Sequence, residues 1–368
     1  METISLTIPP TSSGEDVPLY LGRGLLETFL PHFLLQKGFS AVFIITNETL
    51  APLYGEELQK RVKGSTLLVV PDGERYKTLE TAVSLYEQLL EADADRSSVL
   101  VALGGGVIGD LTGFVAATFL RGLPFVQVPT SLLAMVDASL GGKVGVDLPL
   151  GKNLVGAFKD PLAIVSDLTV LGTLPEIEFR NGLAEVLKAG LIGDSALFSR
   201  LEQGKLEPFQ EIILASIRVK AAILAKDPFE RGERAFLNLG HTFAHAIEQA
   251  TGYQVPHGQA VAIGLRASAW LSERLGFASA GLKDRVERAL LRLGLRSAVH
   301  EAQVEDLLRA MLYDKKRQQR RLRFILLREI AQPFITSEVP PDILRETLEV
   351  IHEYPDHQWT ESEFAGEA

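Results

Sequence analysis

No cysteine occurs among the 368 residues, which excludes disulfides and thiolate metal sites, so any metal must be held by histidine and carboxylate side chains. Such a set keeps coordination positions open, as catalytic metal sites do. Surplus positive charge is missing as well. Lysine and arginine number 37 against 47 acidic residues, and a net charge of −10 argues against nucleic-acid binding through phosphate contacts. No window reaches the roughly 18 uninterrupted apolar residues that a membrane helix needs. The start, METISLTIPPTSSGED, has neither the basic nor the apolar region of a secretory signal. The expectation is a cytoplasmic globular protein with no membrane or nucleic-acid partner, long enough for two domains.

What is present reads first as α/β. Ile4, Leu6 and Ile8 alternate with polar residues as in a strand, and residues 18–21 can pair with them across the TSSGED turn. A short helical segment at 25–33 precedes AVFIIT at 41–46, and TLLVV follows at 66–70. Runs apolar on both faces suit a parallel sheet buried between helices. Leu79, Val83, Tyr86 and Leu90 recur at helical spacing before another strand at 99–103.

That strand runs into LGGGVIGDLTGFVAATF, where a helix starts near Val107. Backbone N–H groups and the helix dipole would converge there on a diphosphate. Gly104, Gly106 and Gly109 satisfy G-x-G-x-x-G, although three glycines at such a turn can serve tight packing alone. About twenty residues further on, where a dinucleotide fold places a ribose-binding acid, PFVQVPT holds no carboxylate. Another strand end must then hold a ribose, with Asn47, Glu74 and Lys77 as candidates. Residues 126–153 are rich in glycine and proline yet contain Asp137, Lys143, Lys152 and Asn153; they read equally as a ligand-embracing segment or a long surface loop.

After Leu174-Pro175 helical periodicity takes over, at 177–191, 209–225, 235–250, 259–275, 280–291, 304–312 and 343–351, with 324–327 a possible strand. We therefore expect an α/β, Rossmann-like domain over 1–175 and an all-α domain over 176–368. The run DKKRQQRRLR at 314–323 is a solvated face or an aid to holding an anionic substrate. No lysine or arginine follows residue 345, so the end reads as a frayed acidic tail.

Three of the seven histidines lie within 241–257. His241 and His245 are one helical turn apart and face the same way, either as two satisfied side chains or as a site. His257, in a Pro-His-Gly loop, supplies a third imidazole. The motif is not HExxH, so a further group must come from elsewhere. Glu185 sits three residues before Lys188 on an otherwise apolar helix, and its carboxylate needs a partner, either that lysine or a metal completed by the histidines.

Taken in order, TNETLAPLY, PDGERYK, GGGVIGDLTGFVAATFLRG, PTSLLAMVDASLGGKVGVDLPLGKNLVGAF, NGLAEVLKAGL, RVKAAILAKDPFERGERAFLNLGHTFAHAIE, HGQAVAIGL and DKK resemble the 3-dehydroquinate synthases, sugar phosphate cyclases related to metal-dependent glycerol dehydrogenases. The resemblance runs from about Ile45 to Leu327. It implies Zn2+ or Co2+ on Glu185, His241 and His257, with His245 a proton-transfer group and not a ligand. It implies NAD+ between the domains, near Asn47, Asp72, Glu74 and Lys77 at the adenosine end and Gly105, Gly106 and Val107 at the diphosphate, with Asp110, Thr130, Ser131, Lys152 and Thr173 nearby. Catalytic roles fall to His245, Lys188, Asp137 and Glu230. Substrate would be held by Arg121, Lys143, Asn153, Lys220, Arg234, Asn238 and a lysine of Lys315 and Lys316, with Arg121 reaching across a homodimer interface.

The implied reaction converts 3-deoxy-D-arabino-heptulosonate 7-phosphate to 3-dehydroquinate in the shikimate route to chorismate and the aromatic amino acids. It proceeds by transient oxidation, phosphate elimination, reduction and aldol closure, with no net redox change. A carboxylate and a phosphate on one substrate account for so many lysines and arginines in an acidic chain. Competing readings are another sugar phosphate cyclase, a metal- and NAD-dependent polyol dehydrogenase, and a non-catalytic NAD-binding protein. One departure from the family pattern concerns the metal site. The usual His-Gly-Glu reads His257-Gly258-Gln259, removing a carboxylate beside a proposed ligand.

Overall fold

The computed structural model describes residues 3–318 and 322–353, leaving aside the side chains of 313–318. Its contacts divide into two units. One comprises the chain up to Gly182 together with Phe209–Arg234; the other comprises Leu183–Pro208 and Ala235 onward. This differs from a single boundary at 175/176. The helix Glu176–Gly193 begins at that point and is itself divided after Gly182, and the later helix Phe209–Lys226 belongs to the first unit.

The first unit is built on β1 (Ile4–Ile8), β2 (Val17–Gly22), β3 (Val42–Asn47), β4 (Thr66–Val70), β5 (Val99–Gly104), β6 (Phe125–Pro129), β7 (Lys143–Leu148), β8 (Gly151–Phe158) and β9 (Ala163–Asp167). Seven of these form one sheet in the order β1-β2-β9-β6-β5-β3-β4, parallel except for the hairpin of β1 with β2. β5, β6 and β9 are buried along their whole length, as continuous apolar runs in a two-sided parallel sheet require. The chain runs from β3 outward to β4, then crosses to the other side of β3 to form β5. The carboxyl ends of β3 and β5 therefore flank a topological switch point, where open α/β sheets bind ligands.

Residues 126–153, by composition a ligand segment or a surface loop, are neither unstructured nor all surface. They contain β6, a helical turn at Ala134–Ala138, and β7, which pairs with β8 as an antiparallel hairpin. Val144 and Val146 of β7 are buried among the side chains of the helix Gly106–Thr118. The first helix is also displaced from its expected place, spanning Phe29–Lys37 and ending at Gly38 in the left-handed conformation that favours glycine.

Just past this hairpin, the Asp160 carboxylate receives the backbone N–H groups of Thr11, Ser12 and Ser13 and the Thr11 hydroxyl, tying down the turn between β1 and β2. Burial alone would raise the Asp160 pKa, but these donors outweigh it and hold it below the usual carboxylate range. A depressed folded-state pKa contributes stability above the ordinary value near ~4, which is lost as pH falls through the folded-state value. Asp160→Ala is expected to cost about 1.5–3 kcal/mol at neutral pH. The gap from the parent protein should close in acid; a pH-independent gap in denaturant unfolding would refute this assignment.

The second unit is helical, with a two-stranded exception where Phe324–Leu327 pairs with Pro333–Thr336. At its centre the helix His257–Arg274 is buried along most of its length. Against it lies His241–Ala250, and the two form an antiparallel helical hairpin through residues 251–256. Residues 235–250 were expected as one helix, but Gly240 breaks it, with φ 81° and a short turn, Glu233–Asn238, before it. A side chain at Gly264 would lie 2.1 Å from the Gly240 carbonyl oxygen, so only glycine permits this approach. Buried Arg266 donates to the carbonyls of Ser297, Val350 and Glu353, tying two chain segments to the central helix.

Candidate active site

Glu185, His241 and His257 bring one potential ligand atom each to within 4.8 Å of the others. Glu185 Oε1 is 3.7 Å from His241 Nε2 and 3.4 Å from His257 Nε2. Glu185 is only 2% exposed, and its Oε2 lies 2.5 Å from Lys188 Nζ, so the lysine and the histidines share this carboxylate. Neither oxygen has a hydrogen bond of ordinary geometry among the described residues. A buried carboxylate in that condition is costly unless something else satisfies it. Two imidazoles and a carboxylate converging there fit a borderline-soft divalent ion with open positions.

The imidazoles are oriented for such a role. His241 Nδ1 donates to the Leu239 carbonyl at 3.2 Å, which fixes the tautomer and leaves the Nε2 lone pair towards Glu185. Burial, with Lys188 close by, pushes the His241 pKa down to about 3, so the ring is neutral. Burial also opposes charge on His257, but Glu185 and Glu248 outweigh it and push its pKa up to about 10. Burial would raise the Glu185 pKa; the Lys188 ammonium outweighs it and, with the two histidines, holds the carboxyl well below its usual range. A bound cation would take the place of the His257 proton. The His245 ring stands 5.6 Å from that of His241, edge to face, beside the ligand set and outside it.

Glu248, three residues after His245, was missed in the sequence. It is 5% exposed, and its Oε1 lies 3.5 Å from His257 Nδ1. Gln259 is buried, and its Oε1 accepts the Arg296 backbone N–H at 3.0 Å.

The first unit gathers a second group. Lys220 Nζ pairs with the Asp137 carboxylate and donates to the Asp137 carbonyl at 2.7 Å. Lys143 pairs with Glu230, whose backbone is left-handed at φ 57°. Arg234 donates to the Gly141 carbonyl at 2.9 Å and to that of Pro228. The Asp227 carboxylate fixes the loop by accepting the N–H groups of Arg231, Gly232 and Arg234. Segments about ninety residues apart thus supply Asp137, Lys143, Lys220, Glu230 and Arg234 to one place. Leu120 and Arg121 adopt φ 49° and 68° in succession, a strained corner that presents Arg121.

At the switch point, Asn47 ends β3, and its amide donates to Asp72 at 2.6 Å; Thr49 gives its hydroxyl to the same carboxylate at 2.6 Å. An acid absent from the usual place is present here instead, after β4. Lys77 is 4% exposed and binds Asp110 and the Asn153 side chain, each at 2.6 Å. Burial works against its charge, but Asp110 and Glu74 outweigh this and raise its pKa. Lys152 lies 3.7 Å from Glu74. Gly105 caps the helix Gly106–Thr118 without any side-chain hydrogen bond, leaving first-turn N–H groups for an anion. A Cβ on Gly105 would stand 3.5 Å from the Ser131 hydroxyl. Thr130 N–H bonds the Gly104 carbonyl at 3.0 Å, and Thr173 pairs with Tyr54. Asn238 ends the turn before Gly240, and the side chains of Lys315 and Lys316 lie outside the described residues.

Family models now decide the relationship: "3-dehydroquinate synthase N-terminal" matches residues 67–181 and "3-dehydroquinate synthase C-terminal" residues 182–317. The chain belongs to the 3-dehydroquinate synthase family. It is 46% identical over 352 residues to the 3-dehydroquinate synthase of Acidithiobacillus ferrooxidans, spanning 92% of this chain and 96% of that one. Among solved structures it resembles a 2-deoxy-scyllo-inosose synthase complexed with carbaglucose-6-phosphate, NAD+ and Co2+, with TM-score 0.84 and 24% identity over 94% of this chain and 99% of the other. It also resembles the 2-epi-5-epi-valiolone synthase of Streptomyces hygroscopicus with NAD+ and Zn2+ bound, with TM-score 0.83 and 26% identity over 91% and 96%. The two-part sequence expectation, a Rossmann-like α/β part and a helical part, is the fold of this group. Among the described residues, no helix is long and apolar enough to cross a membrane.

Proposed function

We propose that this chain converts 3-deoxy-D-arabino-heptulosonate 7-phosphate to 3-dehydroquinate and inorganic phosphate, as an NAD+- and divalent-metal-dependent carbon–oxygen lyase. The observation that carries the substrate class is the convergence of Lys143, Lys220 and Arg234 around residues 137–143 in an acidic protein. Paired cations of this kind suit a substrate bearing both carboxylate and phosphate, whereas a plain polyol dehydrogenase has no use for them. When bound, a Zn2+ or Co2+ ion on Glu185, His241 and His257 supplies Lewis acidity towards adjacent substrate hydroxyls, and NAD+ supplies a hydride acceptor that is regenerated.

The remaining roles belong to the chain. Asn47, Asp72, Glu74 and Lys77 hold the adenosine end of the cofactor. The turn at Gly105, Gly106 and Val107 receives the diphosphate, with Asp110, Thr130, Ser131, Lys152 and Thr173 beside it. Lys143, Asn153, Lys220, Arg234, Asn238 and one of Lys315 and Lys316 grip the substrate anions, with Arg121 supplied by the second subunit of a homodimer. His245 and Lys188 move protons at substrate oxygens, while Asp137 and Glu230 hold Lys220 and Lys143 in place until substrate displaces them.

The test is to give metal-loaded protein the heptulosonate phosphate and NAD+, and to follow inorganic phosphate and NADH together. Phosphate release with 3-dehydroquinate and no net NADH supports the reading. NADH accumulating without phosphate means a polyol dehydrogenase, and phosphate released only from other sugar phosphates means a different cyclase.

A further inference from the structure

The ligand set has an asymmetry that points to a residue outside it. Glu185 is buried, and His241 is fixed by the Leu239 carbonyl, but His257 is the most exposed of the three, with 36% of its side chain accessible. It sits at the first position of its helix, directly after Pro256. An imidazole so placed can rotate or exchange tautomers, and either change removes Nε2 from its two neighbours. The group opposite its other nitrogen is Glu248, a carboxylate 5% exposed on the neighbouring helix.

The fold fixes this meeting. In the antiparallel hairpin of helices, Gly240 contacts Gly264 and Glu248 contacts His257, so both pairs keep the same register. Along His241–Ala250, His241, His245 and Glu248 recur at intervals of four and three residues and share one face. The contact of bare backbone at Gly240 and Gly264 thereby sets the depth at which Glu248 meets the imidazole.

We infer that Glu248 is the positioning residue of the metal centre: its carboxylate accepts the His257 Nδ1 proton, holding the ring in the tautomer that turns Nε2 towards Glu185 and His241. Outer carboxylates of this kind orient ligating imidazoles and raise their basicity. The inference rests on the proposed metal reading.

The experiment measures Co2+ affinity of the purified full-length protein by competition with a chromophoric chelator, together with the visible ligand-field spectrum of the Co2+ form. Wild type is compared with Glu248→Ala and Glu248→Gln, and far-UV circular dichroism and the melting temperature of each apo-protein report folding. Glu248→Ala is expected to weaken Co2+ binding about 10- to 100-fold and to shift the spectrum. Glu248→Gln keeps a neutral acceptor, so it should lose less but still bind more weakly than wild type. If Glu248→Ala does not fold, Glu248→Gln decides alone. Wild-type affinity and spectrum in a folded variant would overturn the inference while leaving the metal reading intact. Failure of wild type itself to bind Co2+ with 1:1 stoichiometry would instead overturn the metal reading.

Discussion

His257→Ala is expected to abolish turnover and leave the fold in place. The substitution removes one of two imidazoles from a three-ligand set, and a carboxylate with a single imidazole holds a catalytic divalent ion poorly. Lewis-acid stabilisation of developing oxyanion charge is worth several kcal/mol, and each 1.36 kcal/mol is tenfold in rate, so turnover should fall at least about a thousandfold. The fold survives because His257 is partly exposed at a helix start and fills no core space, although Glu248 loses its neighbour. Metal content by atomic emission should fall below one ion per chain, with the helical circular dichroism signal retained. Undiminished turnover by the variant in a chelator-treated assay would remove the metal from the mechanism.

The second large effect concerns backbone, not ligands. Gly264→Ala introduces a Cβ 2.1 Å from the Gly240 carbonyl oxygen and 2.9 Å from its carbonyl carbon. Neither atom belongs to a side chain that can swing away, so the two helices must separate. Overpacking a close contact costs about 1–3 kcal/mol when side chains can adjust, and a backbone contact belongs at or above the top of that range. For a domain of this size, each kcal/mol lowers the melting temperature by roughly 2–4 °C. Because His241 begins directly after Gly240 and Glu248 lies two turns on, separation also moves His241 and Glu248 away from His257. Gly264→Ala should therefore lose both stability and Co2+ affinity. A variant that melts with the parent protein and binds metal as tightly would show that the helices can part without disturbing the ligands.

The buried parallel strands were legible because burial on both faces demands continuous apolar residues, and 41–46 and 99–103 supply them; the run at 66–70 is equally apolar but forms the half-buried edge strand β4. The hairpin of β7 with β8 was not, since its three glycines and one proline carry the composition of a loop and its pairing is set by the helix beneath Val144 and Val146. The paired carboxylate and lysine at 185 and 188 were readable from helical spacing, as were two imidazoles one turn apart. Which imidazole belongs with Glu185 was not readable from spacing, because His241 and His245 have equivalent claims on a helical face. Resemblance to known sequences named His257 in place of His245, and the tertiary contact of two glycines brings His257 to the carboxylate.

By itself, then, the sequence determined the kinds of element, the two-part organisation and the chemistry on offer: no thiolates, few ligand types, and cations concentrated in an acidic chain. Those properties follow from composition and local periodicity, which the chain carries wherever it goes. Only the tertiary structure decided that the helix Phe209–Lys226 serves the first unit, that Lys220 meets Asp137 and Lys143 meets Glu230, and that Glu248 backs His257 while Gln259 turns to Arg296. These are pairings between distant segments, fixed by which surfaces pack. No local pattern encodes them.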